Sequence, residues 1–213
     1  MNVALIGASG FIGSALRDEA LSRGHKVTAL VSRPDRLTPA PNLTVKKVDV
    51  QDTEALTDHL GGFEAVLSAF SGHAQEDVAG YYARGFDSLL TAAKAAHVGR
   101  LLVVGGAGSL EVAPELLLID TPQFPAEFRG TAEGARYALD TLKAQNDVPW
   151  TMLSPAAMIG PGERTGRCQL GADQLLVDAE GQSRISVEDY AKALIDELES
   201  PRHENRRFSV AYA

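Results

Sequence analysis

Short apolar runs alternate along the chain with stretches whose apolar positions recur every three or four residues. The runs are Val3–Ile6, Val27–Val31, Leu43–Val48, Ala65–Ala69, Leu101–Val104 and Trp150–Leu153. Each is bounded by turn-forming residues and has a strand's length, and most lack the polar alternation of a half-exposed strand. That pattern predicts parallel strands covered on both faces, with the crossovers supplying the covering helices. The helical patterns fall at Phe11–Ser22, Thr53–Leu60, Tyr81–Ala96, Thr131–Gln145 and Val187–Leu198. The expected architecture is a doubly wound α/β fold, a mainly parallel sheet with helices on both faces. Asp52 is positioned to cap the second helix. Ser186 with Asp189 resembles a capping box, and Gly24 suits a left-handed helix end.

Three Pro- and Gly-rich stretches, Arg33–Pro41, Glu111–Gly130 and Pro155–Gly181, read as loops. The last two are long for a compact domain, and long ordered loops are often functional. The 213 residues are expected to form one domain, with the loops from about residue 155 acting as a small substrate cover.

Composition narrows the function classes. The formal net charge of −8 disfavours a nucleic-acid partner, and the Arg206–Arg207 pair is too short a basic patch to reverse that. A single cysteine, Cys168, excludes an internal disulfide and fits a reducing compartment. The five histidines are scattered without ligand spacing, so no metal site is expected. Nothing approaches the roughly 18 apolar residues of a membrane span, and a cytoplasmic protein is expected.

Directly after the first strand comes Gly7-Ala8-Ser9-Gly10-Phe11-Ile12-Gly13, a G-x-x-G-x-x-G run that opens a helix. In a strand–turn–helix–strand context this is a Rossmann-like dinucleotide signature. Gly7 permits the tight turn, Gly10 lets the backbone approach the pyrophosphate, and Gly13 permits close helix packing. Ser9, Phe11 and Ile12 belong to the same turn and helix start, where free N–H groups face the anion. At the end of the second strand, an acidic residue would bind the ribose of NAD. Ser32-Arg33 stands there instead, with Arg36 nearby, which suits the 2′-phosphate of NADP(H) and leaves NAD(H) as the alternative. Asp49-Val50 is expected at the adenine, and Ala69-Phe70-Ser71 beside the adenine-side ribose and the middle of the cofactor.

These residues resemble the atypical short-chain dehydrogenase/reductase superfamily, in particular its NAD(P)H-binding branch. That branch is named for NADH-flavin reductases and is related to biliverdin-IXβ/flavin reductase and to NmrA-like regulators. The likeness is carried by Gly7–Gly13, Val103–Leu110, Leu153–Ala156, Pro161–Gly166 and Ile185–Ala191. The resemblance implies that Gly105, Gly106 and Ala107, with Ser154, Pro155, Ala156 and Ala157, approach the nicotinamide half.

The superfamily's Tyr-x-x-x-Lys is missing, since Tyr137 is followed four residues later by Thr141. Hydride transfer to a ketone needs a placed acid. A flavin or quinone does not, because the delocalised anion can be protonated by water. The expected activity is therefore NAD(P)H-dependent reduction of a conjugated small-molecule acceptor, with any flavin as substrate. Ser109 is the candidate hydrogen-bond donor to it and Tyr137 the next; a turn hydroxyl and a packing role are the competing readings. Phe124, Phe128, Tyr81 and Met158 are candidate apolar walls. Glu163 and Arg164 are read as an ion pair holding the cover or as a solvated turn. A non-catalytic NADP(H)-binding sensor or regulator is the main alternative, with a sugar-nucleotide epimerase or dehydratase ranked below it. Monomer and homodimer both remain open.

Overall fold

The computed structural model describes residues 1–73 and 75–213. The first half of the chain runs β1 (Asn2–Ile6), α1 (Phe11–Ser22), β2 (Lys26–Val31), β3 (Leu43–Lys47), α2 (Thr53–Leu60), β4 (Ala65–Ser68) and α3 (Val78–Ala95). It continues with β5 (Leu101–Val104), β6 (Glu111–Ala113), β7 (Leu116–Leu117), α4 (Ala126–Lys143), β8 (Trp150–Ser154) and β9 (Met158–Gly160). The last elements are β10 (Gln169–Gly171), β11 (Arg184–Ser186), α5 (Val187–Glu199) and β12 (Arg206–Ala211).

Eight strands form one sheet in the order β10-β12-β8-β5-β4-β1-β2-β3. Every neighbouring pair is parallel except β10 with β12. The chain winds outward from β1 to β3, then returns to β4 on the other side of β1. That reversal between β1 and β4 opens a crevice at the C-terminal edge of the sheet, where doubly wound proteins bind ligands.

Side chains alternate between the two faces, as strand geometry requires. Val3, Leu5, Leu67, Leu102, Leu153 and Phe208 pack with Leu16 of α1 and Leu194 of α5. Ala4, Ile6, Val66, Val103 and Met152 pack on the opposite face with Leu56 of α2, Phe86 and Leu89 of α3, and Leu139 of α4. A leucine fully buried in either layer contributes about 2 kcal/mol of transfer free energy. Among the described residues, no helix is long and apolar enough to cross a membrane.

The six expected strands and five expected helices are all present. α4 begins five residues before the expected Thr131, because its first turn places Phe128 in solvent and so lacks apolar periodicity. The strand β12 escapes the hydrophobic pattern because it opens on two arginines. Arg207 is nevertheless buried, since Asp173 pairs with its guanidinium and the Ser109 carbonyl and hydroxyl accept from it at 3.4 and 3.3 Å. It is thus a core-facing strand residue, not part of a surface patch. The segments read as loops contain the short pair β6 with β7, and β9, which pairs with β11 just beyond the last of them. Their backbones also join, with the Glu111 N–H donating to the Asp173 carbonyl and the Leu175 N–H to the Glu111 carbonyl.

Candidate functional site

The turn after β1 has the geometry that its glycines anticipate. Gly7 sits at φ +78°, a region unfavourable to other residues, and a Cβ there would come 2.6 Å from the Ala69 carbonyl oxygen. A Cβ on Gly13 would lie 2.0 Å from the Gly7 oxygen, so α1 rests directly on the turn. Side chains cap three helices, with Asp52, Asp77 and Ser186 accepting from the N–H groups of Ala55, Gly80 and Asp189. Gly10, at the N-cap of α1, has no such bond to offer. The first N–H groups of that helix are therefore available to an anion.

A cleft of about 200 Å³ opens beside this turn, at the reversal between β1 and β4. Gly7, Ser9 and Gly10 form one wall, and Ser32, Arg33 and Arg36 stand at the end of β2. Asp49 and Val50 follow β3, and Ala69, Phe70 and Ser71 follow β4. The sequence pattern thus places eleven of its candidate cofactor residues around one opening. The cleft also includes Ile6, Leu30, Val31, Val48 and Leu56, which were legible only as core positions. Gly72 and Gln75, on an aperiodic loop, carried no signal. Tyr81, expected at an acceptor, lies here instead, its ring 5.7 Å from that of Phe70. Among the described residues, neither Arg33 nor Arg36 has a carboxylate partner within salt-bridge distance. The chemistry fits a dinucleotide: backbone donors for a pyrophosphate, an apolar slot for a base, and unpaired cations at the ribose end.

Phe11 does not border this cleft. It is half exposed and borders a second groove of about 490 Å³, shared with Ala15, Asp18, Pro161, Arg164 and Glu188. Ile12 is partly buried in the layer beneath α1 and lines neither opening. Gly105–Ala107 and Ser154–Ala157 lie at the ends of adjacent strands β5 and β8, where the Gly105 N–H donates to the Leu153 carbonyl at 2.8 Å. They continue the same sheet edge beyond the cleft. Ser154 is fully buried, and its hydroxyl has no partner among the described residues.

Ser109 and Tyr137 are not brought together. The Ser109 hydroxyl is buried and accepts from Arg207, a contact that suits a turn hydroxyl. Tyr137 is 41% exposed on the outer side of α4 and donates to the Asp87 carboxylate at 2.9 Å. That acceptor pushes the phenol above its ordinary range, away from use as an acid. The α4 face toward the turn after β5 presents Ala132 and Ala135. Phe124 lies beneath the Arg129 guanidinium, and Phe128 and Met158 are each 55% exposed.

The late loops are pinned from below. Asp189, fully buried, accepts from the Thr165 hydroxyl at 2.6 Å, the Gly166 N–H at 2.7 Å and the Tyr212 hydroxyl at 2.7 Å. Burial pushes its carboxyl up, but these bonds outweigh that and hold it below the ordinary value. The capping box is half formed as a result: the Ser186 hydroxyl caps α5, while the Asp189 carboxylate turns to the loop. Arg164 pairs not with Glu163 but with Glu19 of α1, at 2.7 Å, a carboxylate that also holds Arg23 at the end of the same helix. Arg164 lowers the Glu19 carboxyl, against burial, and Arg23 adds to the effect.

A parallel sheet reversing beside an uncapped glycine turn defines a Rossmann dinucleotide-binding protein. The chain belongs to the NAD(P)H-binding family, whose model matches residues 7–201. It is 42% identical over 214 residues to the uncharacterised protein YwnB of Bacillus subtilis (strain 168), covering 99% of this chain and 98% of that one. A solved structure from Bacteroides thetaiotaomicron, described as an epimerase candidate, is 42% identical, with a TM-score of 0.92 over 99% of this chain and 96% of the other. Another, an NADH-flavin reductase candidate from Streptococcus pneumoniae TIGR4, is 36% identical with a TM-score of 0.89 and full coverage of both. These matches agree with the resemblance to the atypical short-chain dehydrogenase/reductases.

Proposed function

We propose that this chain is an NADPH-preferring oxidoreductase that reduces a flavin, a quinone or a similar conjugated acceptor. The observation that carries the cofactor preference is the placement of Ser32, Arg33 and Arg36 around the cleft where an NAD-selective site would present a carboxylate. Either guanidinium can meet a 2′-phosphate with two parallel N–H bonds. The Gly7–Gly13 turn and the start of α1 hold the pyrophosphate. Reduced nicotinamide supplies the hydride. Gly105–Ala107 and Ser154–Ala157 then line its far half, where the buried Ser154 hydroxyl has a bond to give.

The acceptor class follows from what the site lacks. Tyr137 is engaged by Asp87, alanines occupy the facing side of α4, and Ser109, which accepts from Arg207, keeps its own O–H to give but is no acid for a developing alkoxide. An acceptor whose anion is delocalised fits those surroundings, and the protein's part is to orient it and exclude water. The late loops cover this acceptor. The reading makes the chain a cytoplasmic monomer or homodimer whose partner is a small molecule. The same lack of a placed acid favours, as a second reading, an NADP(H)-binding sensor without turnover. An epimerase activity, the description borne by the Bacteroides relative, has less support because the tyrosine–lysine pair is missing.

The test is oxidation of NADPH, followed at the reduced-nicotinamide absorbance, with FMN, FAD and several quinones. Turnover with any of them is expected. NADPH binding with no turnover across the panel points to the sensor instead.

A further inference from the structure

Helix α3 is notched on the side facing the cleft. Phe70, on the cleft wall, has its ring centroid 5.7 Å from that of Tyr81 and 5.5 Å from that of Tyr82. One turn further along α3 is Gly85, three and four residues beyond the two tyrosines and so on the same helix face. Gly85 is buried and lines no part of the cleft. A Cβ built there would lie 2.6 Å from both Cε1 and Cζ of Phe70, and 2.9 Å from Nε2 of Gln51. That Gln51 amide in turn donates to the Tyr81 carbonyl at 3.1 Å, holding the helix against the loop after β3. Glycine within a helix is unfavourable on propensity alone, so its presence calls for a packing reason. Here the reason is the outer edge of one aromatic ring.

We propose that Gly85 is a positioning residue for cofactor binding: by admitting the edge of the Phe70 ring into α3, it sets the depth of the adenosine half of the cleft. The inference rests on the reading of this cleft as the nucleotide site. With a methyl group at residue 85, the ring cannot move sideways, because Tyr81 and Tyr82 flank it. The helix backbone lies behind it. The remaining direction is into the opening, where the base and its ribose belong. The Gln51 amide, the free end of a flexible side chain, can give way, so Gly85 acts on the ligand through Phe70 and a shorter side chain at residue 70 should undo the effect.

The experiment compares wild type, G85A, F70L and the double variant F70L/G85A. It measures dissociation constants for NADPH, ADP and adenosine 2′,5′-bisphosphate by calorimetry, together with thermal melting. G85A is expected to bind all three about tenfold or more weakly, by a similar factor for each, since the loss lies in the half they share. F70L/G85A is expected to return to within about threefold of F70L. Wild-type affinity in G85A overturns the proposal. So does a loss that F70L fails to rescue, or a double variant that does not fold, because Gly85 then serves helix packing alone. If wild type binds none of the three ligands, the nucleotide assignment of the cleft falls first and the proposal with it. Binding by wild type with unchanged G85A removes only the proposal.

Discussion

The two halves of the sheet edge are held in place by different means. Around β1 to β4, most cleft residues sit within a few positions of a strand end or on a turn fixed by glycine, so backbone geometry places them. Around β5, β8 and β12, the loops are fixed by side chains that come from far along the chain. Arg164 reaches Glu19, Asp189 gathers Thr165, Gly166 and Tyr212, and Arg207 ties Asp173 to the turn at Ser109. In the proposed reading the first half is the nucleotide cradle, and the second is the wall that sets acceptor specificity.

Breaking the cradle should have the largest effect. Gly13→Val places a side chain where even a Cβ would lie 2.0 Å from a backbone oxygen, so the turn itself must shift. NADPH affinity should fall below detection, and stability should drop by about 3 kcal/mol or more, read by calorimetry and urea unfolding.

Breaking the wall should affect stability more than binding. Asp189→Ala leaves the Thr165, Gly166 and Tyr212 donors without their acceptor and should cost about 3 kcal/mol. The pH dependence has a definite sign. The folded-state carboxyl is held below its ordinary value of 3.8, so its contribution is present above that value and is lost as the pH falls through the lower folded one. Urea midpoints from neutral to acid pH should therefore show a shallower acid loss in Asp189→Asn than in wild type. An unchanged slope would assign the acid sensitivity to other carboxylates.

Arg33→Asp sharpens the comparison, because it changes selectivity within the cradle without touching the wall. NADPH should weaken by about 2 kcal/mol more than NADH, in parallel titrations. Equal losses would move the 2′-phosphate elsewhere. The smallest effect is expected for Arg164→Ala. Arg164 is half exposed and Glu19 keeps Arg23, so the loss should stay below about 1 kcal/mol in a melting curve.

This division also decides what could be read in the sequence. The parallel sheet, the glycine turn and the cations after β2 were legible because each is a short-range pattern: period two, period 3.6, or a fixed spacing from a strand. Asp52 and Gly24 were legible for the same reason. Arg207 was not, because its burial depends on Asp173, which lies 34 residues away. For Arg164 the sequence offered its immediate neighbour Glu163 or a solvated turn, when the carboxylate it pairs with is 145 residues distant. Tyr81 was read as an acceptor wall, whereas it lines the cleft beside the glycine turn, a position that depends on how α3 packs beside Phe70. Neither was the notch at Gly85 visible, for a helix glycine gives no sign of which ring it admits.

The most direct test of the central claim is a paired titration of the wild-type protein with NADPH and NADH, followed by nicotinamide fluorescence. The cradle with its unpaired arginines predicts saturable binding of both, with NADPH tighter by about tenfold or more. Equal affinities, or tighter NADH, would contradict the assignment of Arg33 and Arg36. Absence of binding by either would contradict the nucleotide site itself.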